Sequence, residues 1–154
     1  MELIKNIHDG EFGIEGEVFF HRFDKYIGLI VEDDNLNYAN RCATYLNELT
    51  DELIESLCEA SIRYCSEFLK AIGEPTRTFK DSKEVLKMIY PSTLIIPYPE
   101  KGNDPVIDME LNCEWGEEHG MEWIVRGDEV LYVGAFSSED PFSDFTDKET
   151  WNYA

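Results

Sequence analysis

Residues 105–115, PVIDMELNCEW, decide the fold class, because their side chains alternate strictly between apolar and polar. The apolar positions are Ile107, Met109, Leu111, Cys113 and Trp115. The polar positions between them are Asp108, Glu110, Asn112 and Glu114. A period of two is typical of a strand that packs one face on a core and exposes the other face to water.

Further strands are predicted on both sides of this run. Two aromatic and β-branched runs near the N-terminus, separated by a polar corner at Asp24 and Lys25, indicate an antiparallel hairpin. Three more runs with short turns between them complete the set. The predicted strands cover residues 16–23, 26–32, 92–99, 105–115, 121–127 and 129–136.

Helices are predicted between the second and third of these strands. Apolar residues recur every three to four positions from Tyr38 to Leu49, and again along residues 51–73, where acidic residues open the helix and Gly73 closes it. A third, short helix is predicted to start at Asp81, with Glu84 completing a capping box, and to end before Pro91.

The order β-β-α-α-α-β-β-β-β predicts an α+β domain that spans residues 1–154. We expect an antiparallel sheet of about six strands with the helices packed on one face. Residues 137–154 form an acidic, aromatic C-terminal tail. We expect it to fold back, because burying its rings stabilises the fold; a mobile segment that docks on a partner is the alternative.

Charge narrows the classes of partner. The chain carries 13 basic and 33 acidic residues, a net charge of −20, and residues 101–154 alone hold 3 basic and 14 acidic groups. Such a field repels nucleic acid and anionic membranes and attracts basic proteins. No signal peptide or membrane-spanning run is recognisable, and the four cysteines fall on apolar faces, so a cytoplasmic protein with reduced thiols is expected.

The segment 113–123, CEWGEEHGMEW, has the composition of many active sites. A hydrolase or carbohydrate-binding site would use Trp115 and Trp123 as sugar platforms, together with His119 and the paired carboxylates Glu114 and Glu122. The other interpretation makes the two tryptophans neighbours at the base of a hairpin whose tip is GEEHG. There Gly120 takes a positive φ and His119 bonds a neighbouring carboxylate.

Cofactor and metal signatures are not recognisable in the sequence. The chain lacks HExxH and CxxC spacings, a GxSxG elbow and a glycine-rich phosphate loop. Residues 32–37, EDDNLN, gather calcium-type oxygens but lack the glycine and closing glutamate of an EF-hand, so a strand-to-helix connection capped by Asn or Asp is expected. We therefore predict no cofactor and no bound metal.

Residues 111–136 resemble the C-terminal signature of a family of small bacterial proteins described as a domain of unknown function. The pattern is C-x-W-x-x-E-H-G followed by a V-G-x-F strand, and the hairpin at 16–32 and the helix with RYCSEF are similar in order and spacing. The matching residues are Cys113, Trp115, Glu118, His119, Gly120, Gly127, Asp128, Val133, Gly134 and Phe136. The resemblance implies a place among accessory and toxin-immunity genes, but no assigned activity.

Together these observations predict a non-catalytic protein-binding module, with immunity-type inhibition of a basic partner as its most concrete form. The expected contact surface is the acidic outer face of the hairpin at 106–126. Its residues are Asp108, Glu110, Glu114, Glu117, Glu118 and Glu122. Cys113, Trp115, His119, Gly120, Trp123 and Gly134 are expected to serve the structure. Whether the protein is a monomer or a homodimer is left open.

Overall fold

The computed structural model describes residues 2–100 and 103–154 of the chain. Seven strands form one sheet, and their order in the sheet is their order in the sequence. They are β1 (Ile4–Gly10), β2 (Gly13–Phe20), β3 (Lys25–Val31), β4 (Ile89–Ile96), β5 (Val106–Cys113), β6 (Met121–Arg126) and β7 (Glu129–Gly134). Together with the helices, this sheet confirms the α+β class.

Two α-helices and a 3₁₀-helix connect β3 to β4. Helix α1 spans Leu36–Asn47, helix α2 spans Asp51–Ala71, and the 3₁₀-helix spans Ser82–Met88. Asn35 and Asp81 cap their helices as predicted, since Asn35 accepts a hydrogen bond from Tyr38 and Asp81 accepts one from Lys83. The predicted capping box is not formed, because no hydrogen bond joins the Glu84 side chain to Asp81 among the described residues. The third helix has 3₁₀ rather than α geometry and is a single short piece, as such helices usually are.

The sheet departs from the predicted antiparallel arrangement at one place. Strands β3 and β4 are parallel, with Gly28 opposite Thr93 and Val31 opposite Ile96, whereas all other neighbours are antiparallel. The helical connection explains this, because a long crossover returns the chain to the starting end of the sheet, which a tight hairpin turn does not.

The prediction of about six strands was wrong, because β1 forms a seventh at the sheet edge. Its residues IKNIHDG are mostly polar and exposed, so they carry no apolar alternation. The pairing register with β2 also shifts between Lys5 and His8, and Asn6 has φ 56° inside this irregularity. A bulge breaks the period of two, which removes the signal by which a strand is recognised in sequence.

The core lies where α1 and α2 meet the sheet. Helix α1 contacts β2, β4 and β5, and α2 contacts β7 and the 3₁₀-helix. Fully buried side chains at this boundary include Leu57, Met109, Leu111 and Trp123. All four cysteines are buried as free thiols. Within the described residues, no helix combines the length and apolarity needed to cross a lipid bilayer.

Candidate functional site

The two tryptophans of the 113–123 segment are buried. Trp123, on β6, lies opposite Met109 and donates from Nε1 to Ser61 Oγ at 3.1 Å. Trp115 follows the end of β5 and packs edge-on against Tyr64 of α2, with ring centroids 5.8 Å apart. The prediction that they are cross-strand neighbours is therefore wrong. Each tryptophan instead makes its own contact with helix α2. Neither ring is presented to solvent as a sugar platform.

The tip of the hairpin is shaped by Gly120 and a ring contact. Gly120 has φ 66°, which confirms the predicted positive value. The predicted hydrogen bond from His119 to a carboxylate is wrong. The imidazole instead packs edge-on against Phe68 of α2 at 5.5 Å, and the His119 backbone N–H donates to the carbonyl of Gly116. An aromatic face within reach of the exposed tip explains why the ring turns toward the helix.

Gly134 lets the C-terminal segment approach strand β7. A Cβ at this position would lie 2.6 Å from the Trp151 carbonyl oxygen, closer than real Cβ contacts. Just beyond, Asn152 accepts from the Val133 N–H and donates to the Leu131 carbonyl, while the Tyr153 N–H donates to the Val133 carbonyl. These bonds satisfy the outer edge of the sheet, which is otherwise open to pairing with another chain.

The six predicted acidic residues fall into two groups. Asp108 is 6% exposed and Glu122 is fully buried, so the expectation that both face water was wrong. They lie on the polar face of β5 and β6, as the alternation predicts, but residues after β7 cross that face. Because the covering segment is distant in sequence, alternation alone assigns this face to solvent.

Asp108 and Glu122 form a buried carboxyl pair, held from one side by Ser137. Glu122 Oε1 accepts from the Ser137 N–H at 2.9 Å and from the Ser137 hydroxyl at 2.6 Å. Asp108 Oδ1 and Glu122 Oε2 have no donor among the described side chains. Burial first, then the hydrogen bond to Glu122 and the charges of nearby carboxylates, raise the pKa of Asp108 well above its usual range. Asp108 therefore retains its proton in the folded chain.

A cleft of about 430 Å³ opens beside Asp108, between the ends of β3 and β4 and residues 136–141. We call it the acidic cleft, defined by the carboxyl-bearing residues Glu32, Glu100, Asp108, Glu139 and Asp140. Burial, and then the negative charge of Asp140, raise the pKa of Glu32. Tyr98 and Phe136, both substantially exposed, contribute aromatic surface to the same cleft.

The remaining four predicted acids stay at the surface. We call them the acidic patch: Glu110, Glu114, Glu117 and Glu118. Glu110 is half-buried and the other three are exposed. Glu114 accepts from the Tyr90 hydroxyl at 2.6 Å and lies 3.7 Å from Arg77. The hydrogen bond to Glu114 is the main cause of a raised Tyr90 pKa, and the charge of Glu117 adds to it, which places Glu117 near Tyr90.

Nucleophilic and metal chemistry find little support in the described residues. Burial raises the pKa of the Cys58 and Cys113 thiols to about 11, so both are protonated and poorly nucleophilic at neutral pH. No three His, Cys, Asp or Glu side chains in residues 2–100 and 103–154 are grouped so that they could hold a metal ion.

Sequence reasoning missed Glu32, Asp140 and Ser137 as neighbours of Asp108. Glu32 was placed in a strand-to-helix connection and Asp140 in the tail, so nothing local links them. The acidic residues of the tail were a weak signal for this cluster. If such a tail folds back onto an acidic strand, carboxyl groups of the two segments come together. Only the path of residues 136–141 over the sheet makes the cluster visible.

Comparisons with known proteins identify a family but no characterised relative. A family model described as a domain of unknown function, DUF6985, matches residues 3–140, which is most of the chain. No curated protein and no solved structure matches significantly.

Proposed function

We propose that this chain, which belongs to the DUF6985 family of domains of unknown function, is a non-catalytic module that binds a basic protein. Immunity-type inhibition of a basic toxin domain is the most concrete form of this proposal. The acidic patch is the observation that carries it. Three of its four glutamates are exposed and Glu110 is half-buried, and among the described residues only Glu114 has an ion-pair partner.

The overall charge supports the same proposal. A net charge of −20 accelerates encounter with a basic partner, and unneutralised surface carboxylates specify its orientation. Tyr90 and Tyr98, exposed on and after β4, offer aromatic surface of the kind enriched at protein interfaces. A partner of this type is held by charge and aromatic contact and requires no chemistry of the module.

We further propose that the helices all pack on one face of the sheet. The contacts of α1 with β2, β4 and β5, and the hydrogen bond between Trp123 and Ser61 of α2, support this arrangement. The polar face of β2 to β5 would then remain for the partner. The proposal also places the module in the cytoplasm, in keeping with four unpaired cysteines.

The test begins with capture of partners from the native host at low and high salt. A captured basic protein is then purified, and its affinity is measured for the wild type and for a variant with Gln at all four acidic-patch positions. The matched control carries Gln at four exposed glutamates of α2, and so has the same net charge. Those control positions are Glu52, Glu55, Glu59 and Glu67.

We expect the acidic-patch variant to weaken binding at least about tenfold, with a smaller salt dependence, and the α2 variant to weaken it far less. Two results would overturn the proposal. One is that no basic protein is captured in a salt-sensitive way. The other is that both variants weaken binding equally, since the effect would then come from net charge and not from the patch.

A further inference from the structure

The acidic cleft gathers five carboxyl-bearing residues. The ion pairs of the described residues are Arg22 with Asp51 and Arg77 with Glu114, and neither involves the cleft. Arg126 donates to the carbonyl oxygens of Pro141 and Ser143 rather than to a carboxylate. Among the described residues, no basic side chain is therefore paired with a carboxyl group of the cleft.

Asp108 gives this cluster a buried carboxyl group. Its side chain is 6% exposed and lines the cleft, yet Oδ1 receives no hydrogen bond from a described donor. Glu122 Oε2, behind it, is in the same condition. Buried polar atoms without partners are destabilising, so they are uncommon in native structures and indicate a missing group. A buried carboxyl group beside an acidic cleft calls for a donor that carries positive charge.

The size of the cleft and its lining favour an organic cation over a metal ion. A volume of about 430 Å³ greatly exceeds the space that a bare metal ion occupies, and no metal-holding group is found among the described residues. Tyr98 and Phe136 line the cleft beside the acids. Aromatic rings attract guanidinium and ammonium groups and also pack on their aliphatic stems.

We propose that the acidic cleft receives one arginine or lysine side chain of the basic partner, whose charged group pairs with the carboxyl group of Asp108. The inference rests on the proposed function and names how the partner is recognised. The cation enters, the O–H bond of the Asp108 carboxyl group breaks as its proton passes to water, and the Asp108 carboxylate is left paired with the bound cation. Glu32 and Asp140 hold the cation at the rim.

Proton release makes binding depend on pH. The groups that act on Asp108 are Glu122 on β6, Glu32 after β3, and Glu110 on its own strand, and all are acidic. Each favours retention of the proton. Raising the pH makes the Asp108 proton easier to remove, so the affinity for a cation increases with pH until Asp108 is ionised without a ligand.

Agmatine, a guanidinium on an aliphatic amine, is a suitable probe because it carries no carboxylate. Its binding to the full chain is measured by calorimetry at low salt, in two buffers of different ionisation enthalpy. We expect a dissociation constant in the millimolar range and a buffer-dependent enthalpy that reports a released proton. Glu32→Gln and Asp140→Asn should each weaken binding about tenfold, the value of one lost charge-assisted contact.

Two further variants test whether agmatine binding depends on the cleft or on the net charge of the chain. Glu59→Gln, on the exposed surface of α2, should leave agmatine binding unchanged. Asp108→Asn keeps the shape of the side chain but removes the titratable group, so the buffer dependence of the enthalpy should disappear. Equal weakening in Glu59→Gln and Glu32→Gln, an unchanged buffer dependence in Asp108→Asn, or tighter binding of Ca²⁺ or Mg²⁺ than of agmatine would each overturn the inference.

The inference about the cleft and the proposed function can be disproved independently of each other. If a basic partner binds through the acidic patch but agmatine does not bind the wild type, the cleft inference is wrong and the proposed function stands. If agmatine binds as expected but no basic protein partner exists, the cleft recognises cations and the proposed function is wrong.

Discussion

The two faces of strands β5 and β6 bury their side chains in opposite ways. One face places Met109, Leu111 and Trp123 in a dry apolar core against the helices. The other face, one residue out of step along the same strands, places Asp108 and Glu122 beneath the segment that follows β7. Both sets of side chains are shielded from water, but only the apolar set gains free energy from burial.

This contrast teaches where to look for function. Apolar burial stabilises the fold and requires no further explanation. A pair of buried carboxyl groups is destabilising relative to an apolar or amide pair of the same shape, so folding alone gives no reason for it.

Trp123→Ala should produce the largest change, because it empties the centre of the apolar face. Trp123 is 1% exposed, and its loss also removes a hydrogen bond to Ser61. We expect the free energy of unfolding to fall by about 3–5 kcal/mol, measured by chemical denaturation. Trp151→Ala is the control, since that ring is 58% exposed; an equal loss in both variants would contradict the assignment of the core to this face.

Asp108→Asn, on the second face, should raise the free energy of unfolding rather than lower it. The raised pKa of Asp108 means that the folded chain keeps a proton which the unfolded chain loses near its ordinary pKa of about 4. Stability from this group is thus full at low pH and is lost as the pH rises through the folded-state pKa. An asparagine does not titrate, and its amide can donate to Glu122.

The free energy of unfolding of Asp108→Asn, relative to the wild type, should therefore increase by about 1–3 kcal/mol between pH 5 and pH 8. Denaturation curves at both pH values measure this difference. Asp9→Asn, at an exposed position on β1, should show no such change. Parallel pH dependences of Asp108→Asn and the wild type would mean that Asp108 is not protonated in the folded state.

His119→Ala should have the smallest effect, because the hairpin tip belongs to neither buried face. Loss of the edge contact with Phe68 should lower the free energy of unfolding by about 0.5 kcal/mol, measured by thermal or chemical denaturation. His119→Phe keeps an aromatic ring there and should restore stability. Binding of a basic partner should be the same for all three proteins, and a loss of binding in His119→Phe would assign the imidazole a role beyond structure.

Local sequence patterns were sufficient for the elements that form by themselves. The period of two placed Cys113 and Trp115 in the core, the capping residues Asn35 and Asp81 were recognisable, and Gly120 has the expected φ. Each of these depends on neighbours within a few positions along the chain. The bulged strand β1 was missed for the same reason, because its irregular pairing leaves no period to read.

The sequence by itself determined which side chains share a face of β5 and β6, since alternation is a property of the backbone. Only the tertiary structure decided which of those faces is covered, and by what. The segment 136–141 returns over Asp108 and Glu122, and Glu32 arrives from the end of β3, so the acidic cleft joins three distant parts of the chain. Burial and charge depend on everything that surrounds a group in space, and local spacing does not record that environment.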